Sequence, residues 1–253
     1  MREDPVRMIR AVRFAAKLGF EIEPGTRAAI SSYREDLLKS STPRLVEEIF
    51  RTFSAAPPAR ALVLMERLGL LEVVLPFLSE HIRGGELELE ESATVRNLAM
   101  LERAMAGGLE PSRAFTLACL FTDLHLHLQK QPETPRLELL QEMRTRGFPR
   151  GETERMRLLL NALSRLLNPN RRLRGMHRRP YFAEAKALHE MLSPHYLTAA
   201  ENGHDAAPSR RRRRRPSRRR RRRGPASARQ QAPHEGGAAV AAADPAGSEM
   251  KEN

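Results

Sequence analysis

Apolar residues in the first 200 positions recur at steps of three and four residues, and helix-breaking residues separate one run from the next. This spacing places apolar side chains on one face of an α-helix, whereas a half-buried strand would alternate strictly. Strand-like alternation is nearly absent. The sequence therefore predicts an all-α array of about nine helices. They are expected at residues 5–18, 26–39, 43–54, 58–68, 92–106, 111–129, 134–146, 151–167 and 180–192.

The composition changes at residue 202. From there to residue 253 the chain is rich in Ala, Pro, Gly, Ser and Arg and has almost no large apolar side chain. Such a segment cannot offset the entropy of ordering its backbone, so residues 202–253 are predicted to be a disordered tail. The tail holds two blocks of six arginines. The blocks are Arg210, Arg211, Arg212, Arg213, Arg214, Arg215 and Arg218, Arg219, Arg220, Arg221, Arg222, Arg223.

The remaining composition excludes several classes of protein. No run approaches the roughly 20 apolar residues of a membrane-spanning helix, and no apolar segment follows the charged start as in a signal peptide. Cys119 is the single cysteine, so an internal disulfide is impossible, and its apolar surroundings predict a buried reduced thiol. We expect a cytoplasmic protein that does not contact membranes.

The first predicted helix has an apolar face and a cationic face. Asp4 and Pro5 are expected to form the N-cap and the first turn, and Gly19 to end the helix. The apolar positions are Met8, Ile9, Val12, Ala15 and Ala16. Opposite them, within an arc of about 120°, lie Arg7, Arg10, Arg13 and Lys17.

The cationic face has an ordinary explanation as a solvated surface. However, three arginines spaced three residues apart, with one acidic residue ahead of them, are expected to leave unpaired donors. Unpaired guanidinium groups suit a ligand with several phosphates or the edge of a base.

Five segments resemble a known family. REDPVRMIRAVRFAAKLGF (residues 2–20) resembles the neck helix of bacterial poly(A) polymerases and of the related class II CCA-adding tRNA nucleotidyltransferases. SSTPRLVEEIF (40–50) and ARALVLMERLGLLEVVLP (59–76) continue the resemblance, which weakens over residues 80–145. RGFPRGETERMRLLLNAL (146–163), RRPYFAEAKALHEM (178–191) and the Arg-rich end are more similar to the poly(A) polymerase branch.

The resemblance implies a domain order and roles for residues of the first helix. Residues 1–78 would be a nucleotide- and RNA-binding neck, 79–201 a helical body, and 202–253 an RNA-binding tail. Asp4 and Arg7 would contact the base edge of the incoming nucleotide, with Glu3 steadying the arginine. Arg10 and Arg13 would lie nearer the nucleotide phosphates or the RNA end, and Lys17 would contact RNA. A carboxylate and a guanidinium can together read a base without a template strand.

Catalysis in the family uses ATP and resembles two-metal phosphoryl transfer, in which paired carboxylates hold Mg²⁺. The resemblance places those carboxylates in a head upstream of the neck, with a glycine-rich loop and a D-x-D pair. This sequence has neither feature. We therefore expect the chain alone to bind no cofactor and to be inactive, which suggests a truncated, split or wrongly started reading frame and a separate or missing catalytic head.

A second group of cations lies next to aromatic residues, a combination that suits single-stranded RNA. The alternative is a solvated loop whose rings anchor the next helix, and the sequence favours neither. The group consists of Arg171, Arg172, Arg174, His177, Arg178 and Arg179, with Tyr181 and Phe182.

The tail arginines also have alternative explanations: a solubility segment, or a nuclear or membrane address. RNA is favoured because guanidinium pairs bidentately with phosphate. By contrast, Asp123, His125 and His127 are not expected to form a metal site, since helical spacing places the two histidines about 200° apart.

These observations lead to one principal hypothesis and two alternatives. The principal one is the RNA- and nucleotide-binding part of a template-independent poly(A) polymerase, which adds AMP from ATP to RNA 3′ ends. The first alternative is a fragment of a CCA-adding tRNA nucleotidyltransferase. The second is a helical RNA-binding adaptor without catalytic activity.

Overall fold

The computed structural model describes residues 4–130, 136–168 and 175–202. Across these ranges it contains eleven α-helices, three short 3-10 helices and no strand, which confirms the all-α prediction. The Arg-rich tail lies outside the described residues. The helices are α1 (Arg7–Leu18), α2 (Pro24–Tyr33), α3 (Thr42–Ala55), α4 (Pro58–Arg67), α5 (Leu70–Val74), α6 (Pro76–Arg83), α7 (Ala93–Ala106), α8 (Arg113–Lys130), α9 (Arg136–Thr145), α10 (Arg150–Leu166) and α11 (Phe182–Asn202).

The predicted helix at 26–39 is two elements in the structure. Helix α2 begins at Pro24, where the Glu23 carboxylate accepts hydrogen bonds from the backbone N–H groups of Gly25 (2.9 Å) and Thr26 (2.7 Å). These two donors also lower the pKa of Glu23. After Tyr33 the chain tightens into a 3-10 helix at Arg34–Lys39. The Glu23 cap, which the apolar periodicity does not reveal, moves the helix start two residues earlier than predicted.

Helices α5 and α6 were not predicted. Leu70, Leu71, Val73 and Val74 of α5 are all buried. Only Glu72 of its five residues is polar, and so short a helix shows no helical periodicity, so the sequence pattern gives no sign of it. The predicted neck–body boundary at residue 78 falls inside α6, and the division of residues 1–201 into neck and body stays a prediction.

Helix α11 continues ten residues beyond its predicted end at residue 192. Pro194 lies inside the helix, although proline lacks a backbone donor and usually breaks a helix. A tertiary contact holds the segment after it, because the buried Asn97 side chain of α7 donates a 2.7 Å hydrogen bond to the Tyr196 hydroxyl. Burial also raises the pKa of Tyr196, so this hydroxyl stays protonated.

One hydrophobic core connects the described helices. Helix α1 packs on α3 and α4, α7 packs between α4 and α8, and α10 packs between α8 and α11. Cys119 of α8 is fully buried, and burial raises the pKa of its thiol, which confirms the prediction of a buried thiol. No helix in the described ranges is both long enough and apolar enough to cross a membrane.

The turn between α9 and α10 approaches the start of α3 closely. Gly147 has a φ of +80°, and a Cβ atom at this position would lie 1.9 Å from Thr42 Cγ2. Thr42 is the first residue of α3. Only glycine combines this backbone conformation with this approach. The turn therefore fixes the distal helices against the first turn of α3.

Candidate nucleotide and RNA interface

The first turn of α1 differs from the sequence prediction. The backbone carbonyl of Asp4 accepts a hydrogen bond from Arg7 N (3.1 Å), and that of Pro5 accepts one from Met8 N (3.0 Å). The helix itself begins at Arg7 without a side-chain cap. The predicted N-cap role of the Asp4 side chain is therefore wrong, since its carboxylate is directed at α3 instead.

Asp4 lies between two arginines. Its Oδ2 accepts a 2.8 Å hydrogen bond from Arg44 Nη2 of α3 and lies 3.8 Å from Arg7 Nε. The Asp4 side chain is 17% exposed and the Arg7 side chain is 63% exposed. A carboxylate acceptor and a guanidinium donor thus stand side by side at the surface. The structure brings together the two residues that the resemblance assigns to the base edge, and Glu3 lies outside the described residues.

Arg44 is a residue of this group that the sequence analysis missed. It lies in the quoted segment at residues 40–50, but no role was assigned to it. Its contact with Asp4 spans 40 positions in the chain, so helical spacing could not reveal it. Arg44 orients the Asp4 carboxylate, because the 2.8 Å bond fixes Oδ2 from the α3 side.

Arg13 is not part of the exposed surface. Its Nε donates a 2.7 Å hydrogen bond to Glu48 Oε1 of α3, and the two side chains are 14% and 7% exposed. Its guanidinium also lies 4.4 Å from the centroid of the Phe14 ring. The expectation of an unpaired donor at this position is therefore wrong. Arg13 lies on the side of α1 that faces α3, where its guanidinium pairs with Glu48.

Phe14, and not Arg13, lies on the exposed side of α1. Phe14 is 44% exposed, and Arg7, Arg10 and Lys17 are exposed beside it. Positions 7, 10, 14 and 17 follow the spacing of a single helix face. Within the described ranges, Arg10 and Lys17 form no ion pair. We call these four residues the α1 face; they combine three cations with one accessible ring.

The second predicted cationic group is described only in part. Arg171, Arg172 and Arg174 lie outside the described residues, whereas His177, Arg178 and Arg179 are exposed. Tyr181 and Phe182 are half-buried and pack against the core. This packing favours the alternative in which the rings anchor the start of α11, rather than stacking on RNA bases.

The histidines of α8 contact different elements. His125 Nε2 lies 2.6 Å from Gln129 Nε2, which in turn bonds Ser164 of α10. The His127 ring instead lies 5.1 Å from the His81 ring of α6, and His81 Nε2 lies 2.7 Å from Asp123 Oδ2. The structure describes no group of three His, Cys, Asp or Glu side chains that could hold a metal ion. The described residues therefore offer no such cluster for Mg²⁺.

A groove lies at the C-terminal end of α1, between residues 20–22 and helix α4. It has a volume of about 450 Å³. We call it the α4 groove, and the sequence analysis did not anticipate it. Its lining consists of Phe20, Glu21, Ile22, Arg27, Arg60, Val63, Leu64, Arg67 and Leu68.

Parts of the chain are similar to known proteins. Residues 19–82 match the family described as "Probable RNA and SrmB- binding site of polymerase A". Over 121 residues the chain is 32% identical to poly(A) polymerase I of Haemophilus influenzae, a match that covers 47% of this chain and 26% of that protein. Over 125 residues it is 35% identical to a CCA-adding enzyme of Bordetella bronchiseptica, covering 47% and 30%. Over 85 residues it is 35% identical to an A-adding tRNA nucleotidyltransferase of Deinococcus radiodurans, covering 32% and 20%.

These matches confirm the resemblance that the sequence motifs indicated, over about half of the chain. The chain spans less than a third of the length of these curated relatives. The matched family segment contains Arg44, Glu48 and every lining residue of the α4 groove.

Proposed function

We propose that this chain is the RNA- and nucleotide-binding helical part of a template-independent RNA nucleotidyltransferase, with ATP as the nucleotide and an RNA 3′ end as the acceptor. The observation that carries the proposal is the arrangement of Asp4, Arg7 and Arg44 at the start of the α1 face. The Asp4 carboxylate is an acceptor that Arg44 holds in place, and the exposed Arg7 guanidinium is a donor beside it. The exposed side chains of Arg10 and Lys17 extend the positive charge along α1.

The Asp4–Arg7 pair has the chemistry to select a base. The Asp4 carboxylate accepts a hydrogen bond from an exocyclic amine, while the Arg7 guanidinium donates to ring acceptors. Arg44 keeps the carboxylate in place from α3, so only the exposed Arg7 side chain has to adjust when a nucleotide binds. Adenine presents both an amine donor and ring nitrogen acceptors to such a pair.

The rest of the α1 face has the chemistry to hold a single RNA strand. Arg10 and Lys17 are exposed and can neutralise phosphates, and Phe14 offers a ring on which a base can stack. Such binding does not depend on sequence, because every base has a π-face. It suits an enzyme that extends RNA ends of different sequences.

Replacing Arg7 by alanine is expected to reduce the choice of ATP over CTP. A lost bidentate base contact costs about 1–3 kcal/mol, so the ratio of kcat/KM values should fall roughly five- to hundredfold. The measurement is primer extension by a chimera that supplies a nucleotidyltransferase head to this chain. Arg44→Ala should cause a smaller loss of the same kind, since it removes the group that orients Asp4.

Arg10→Ala is the matched control, because it removes another exposed arginine from the same helix face. It should raise the KM for RNA and leave the ATP to CTP ratio unchanged. An unchanged ratio in Arg7→Ala would contradict base selection by this pair and reduce it to a surface ion pair.

A CCA-adding activity is the second candidate, because the Bordetella bronchiseptica match is as long as the poly(A) polymerase match and slightly higher in identity. The same extension assay separates the two. Addition of a long run of AMP supports the poly(A) activity, whereas a product ending in C-C-A supports the alternative. A non-enzymatic adaptor would show RNA binding but no extension by the chimera.

Removing residues 202–253 is expected to weaken RNA binding and to flatten its dependence on salt. Each phosphate neutralised on a single strand contributes about −0.7 to the slope of log K against log salt, so twelve arginines could contribute at most about −8. The loss should be largest at low salt, because higher salt already screens the tail. Anisotropy titrations with labelled oligo(A) at several salt concentrations measure both quantities.

A full-length variant with the twelve arginines changed to glutamine serves as the control for chain length. It should behave like the truncated chain, and both should keep the helix content of the parent. Equal RNA affinity and equal salt slope in all three proteins would show that residues 202–253 do not contribute to RNA binding.

A further inference from the structure

The α4 groove begins where the α1 face ends. Helix α1 ends at Leu18, and Arg60 of α4 reaches the end of the helix, where its Nη2 donates a 3.2 Å hydrogen bond to the Phe20 carbonyl. The Arg60 Nη1 atom also lies 3.6 Å from the Cβ position of Gly19. A ligand that follows the α1 face toward its C-terminal end therefore meets Arg60 and the groove next.

The groove has a net positive charge, because Arg27 and Arg60 outnumber Glu21, the one carboxylate of its lining, and Arg67 is paired outside the lining. Arg60 donates to the Phe20 carbonyl, and Arg27 donates to the Ile22 carbonyl at 3.2 Å. Within the described ranges neither guanidinium is paired with a carboxylate, whereas Arg67 is paired with Glu90. Two exposed guanidinium groups thus keep their full charge at the edge of the groove and have further donors for a polyanion.

The interior of the groove is apolar and has an aromatic side chain at its edge. Ile22, Val63 and Leu64 are only partly buried and form its surface. Phe20 is 65% exposed, more than any other large apolar side chain in the described ranges. A single exposed ring is ordinary on a protein surface. An exposed ring beside two unneutralised arginines is the combination that binds single-stranded nucleic acid.

The length of α1 sets which part of an RNA strand reaches the groove. Twelve helical residues span about 18 Å, at 1.5 Å per residue. A stacked strand advances about 3.4 Å per nucleotide, so about five nucleotides cover this distance. With the RNA 3′ end at Asp4 and Arg7, the groove lies next to nucleotides about six to eight positions upstream.

We propose that the α4 groove is a second RNA subsite, which holds single-stranded RNA about six to eight nucleotides upstream of the 3′ end by stacking on Phe20 and by phosphate contacts from Arg27 and Arg60. This proposal rests on the proposed function, which places the 3′ end at the start of α1. The charge of the groove favours RNA over a protein helix as the occupant, because Arg27 and Arg60 form no described ion pair and outnumber the single lining carboxylate, Glu21.

Site-specific photocrosslinking tests the subsite directly on the full chain. The probe is an oligo(A) of about twelve nucleotides with one thiouridine, placed either at the 3′ end or about seven positions upstream. Cleavage after Lys and Arg releases residues 3–7, which contain Asp4 and Arg7, residues 8–10 of the next turn, and residues 18–27 and 61–67, which contain Phe20 and the groove side of α4. The 3′ probe should attach to 3–7 or 8–10, and the upstream probe to 18–27 or 61–67.

The two outcomes separate this proposal from the proposed function. If the 3′ probe attaches to 3–7 or 8–10 and the upstream probe attaches outside 18–27 and 61–67, the proposed function stands and the subsite is wrong. If the 3′ probe attaches away from α1, the proposed function itself fails and the subsite falls with it.

Binding of RNAs of two lengths provides the second test. At salt high enough to screen the tail, wild-type protein should bind a twelve-nucleotide oligo(A) more tightly than a four-nucleotide one. Phe20→Ala should lower affinity for the longer RNA about fivefold or more and leave the shorter one unchanged. Leu38→Ala is the matched control, since Leu38 is 61% exposed but lies outside the groove.

The proposal would be contradicted if Phe20→Ala lowered the affinity for both RNA lengths by the same factor. It would also be contradicted if Phe20→Ala changed neither affinity. The second result is also the one expected if the groove binds a protein segment instead of RNA. The circular dichroism of Phe20→Ala should match that of wild type, because the removed ring is mostly exposed.

Discussion

Gly147→Ala is expected to lower the free energy of unfolding by about 2–5 kcal/mol. Two independent costs contribute to this loss. The φ of +80° is unfavourable for a residue with a side chain, and the new Cβ would lie 1.9 Å from Thr42 Cγ2. Thr42 is β-branched and begins α3, so its side chain has little freedom to move away. Urea unfolding followed by circular dichroism measures the change.

Two further variants distinguish these costs. Gly151→Ala is the matched control, since Gly151 lies in the first turn of α10 and its Cβ position meets no atom within 4 Å. It should be neutral or slightly stabilising. Thr42→Ser removes the clashing methyl, so Gly147→Ala should cost less in that background, and the remaining cost should come from φ and from the 3.2 Å approach to the Cβ of residue 42. Equal stability of Gly147→Ala and Gly151→Ala would contradict the close approach.

Glu48→Ala is expected to destabilise the chain by about 3–5 kcal/mol, because it leaves the Arg13 guanidinium nearly buried without its partner. The Arg13–Glu48 pair joins α1 to α3 with both side chains at most 14% exposed. Glu48→Gln should cost less, since the amide oxygen still accepts a hydrogen bond from Arg13 Nε. Thermal and urea unfolding provide the comparison.

The neighbouring Glu47→Ala is the control for this prediction. Glu47 is 38% exposed and pairs with Arg51 and Arg113 at the surface, where such ion pairs contribute up to about 1 kcal/mol. Replacing both Arg13 and Glu48 by leucine should recover most of the stability lost in Glu48→Ala, because no buried charge remains. A loss in Glu48→Ala no larger than that in Glu47→Ala would show that the pair is effectively solvated.

The first helix shows what the sequence could establish. Its predicted apolar residues, from Met8 to Ala16, are the residues that the structure buries, and it ends before Gly19 as expected. Both features are local, since they depend on the helical period and on the backbone freedom of one glycine. The proximity of Asp4 and Arg7 is local for the same reason, because the two residues are one helical turn apart.

The remaining features depend on partners that are distant in the chain. Arg13 has the same spacing as Arg10, but Glu48 of α3 removes it from the exposed surface, and no pattern within α1 could show this. The role of Arg44 and the α4 groove likewise arise only when α3 and α4 pack on α1. Helix α11 extends beyond Pro194 because Asn97, almost 100 positions away, bonds Tyr196. Periodicity predicts which face of a helix is apolar, but not which neighbour neutralises a charge.

The contact between Gly147 and Thr42 links the distal helices to the Asp4–Arg7 pair. Thr42 and Arg44 share the first turn of α3, and Arg44 holds the Asp4 carboxylate. The turn between α9 and α10 therefore supports the Arg44–Asp4 contact from outside, although it lies more than 100 positions away in the chain. Under the proposed function, insertions or substitutions in this turn would change nucleotide preference without touching the nucleotide.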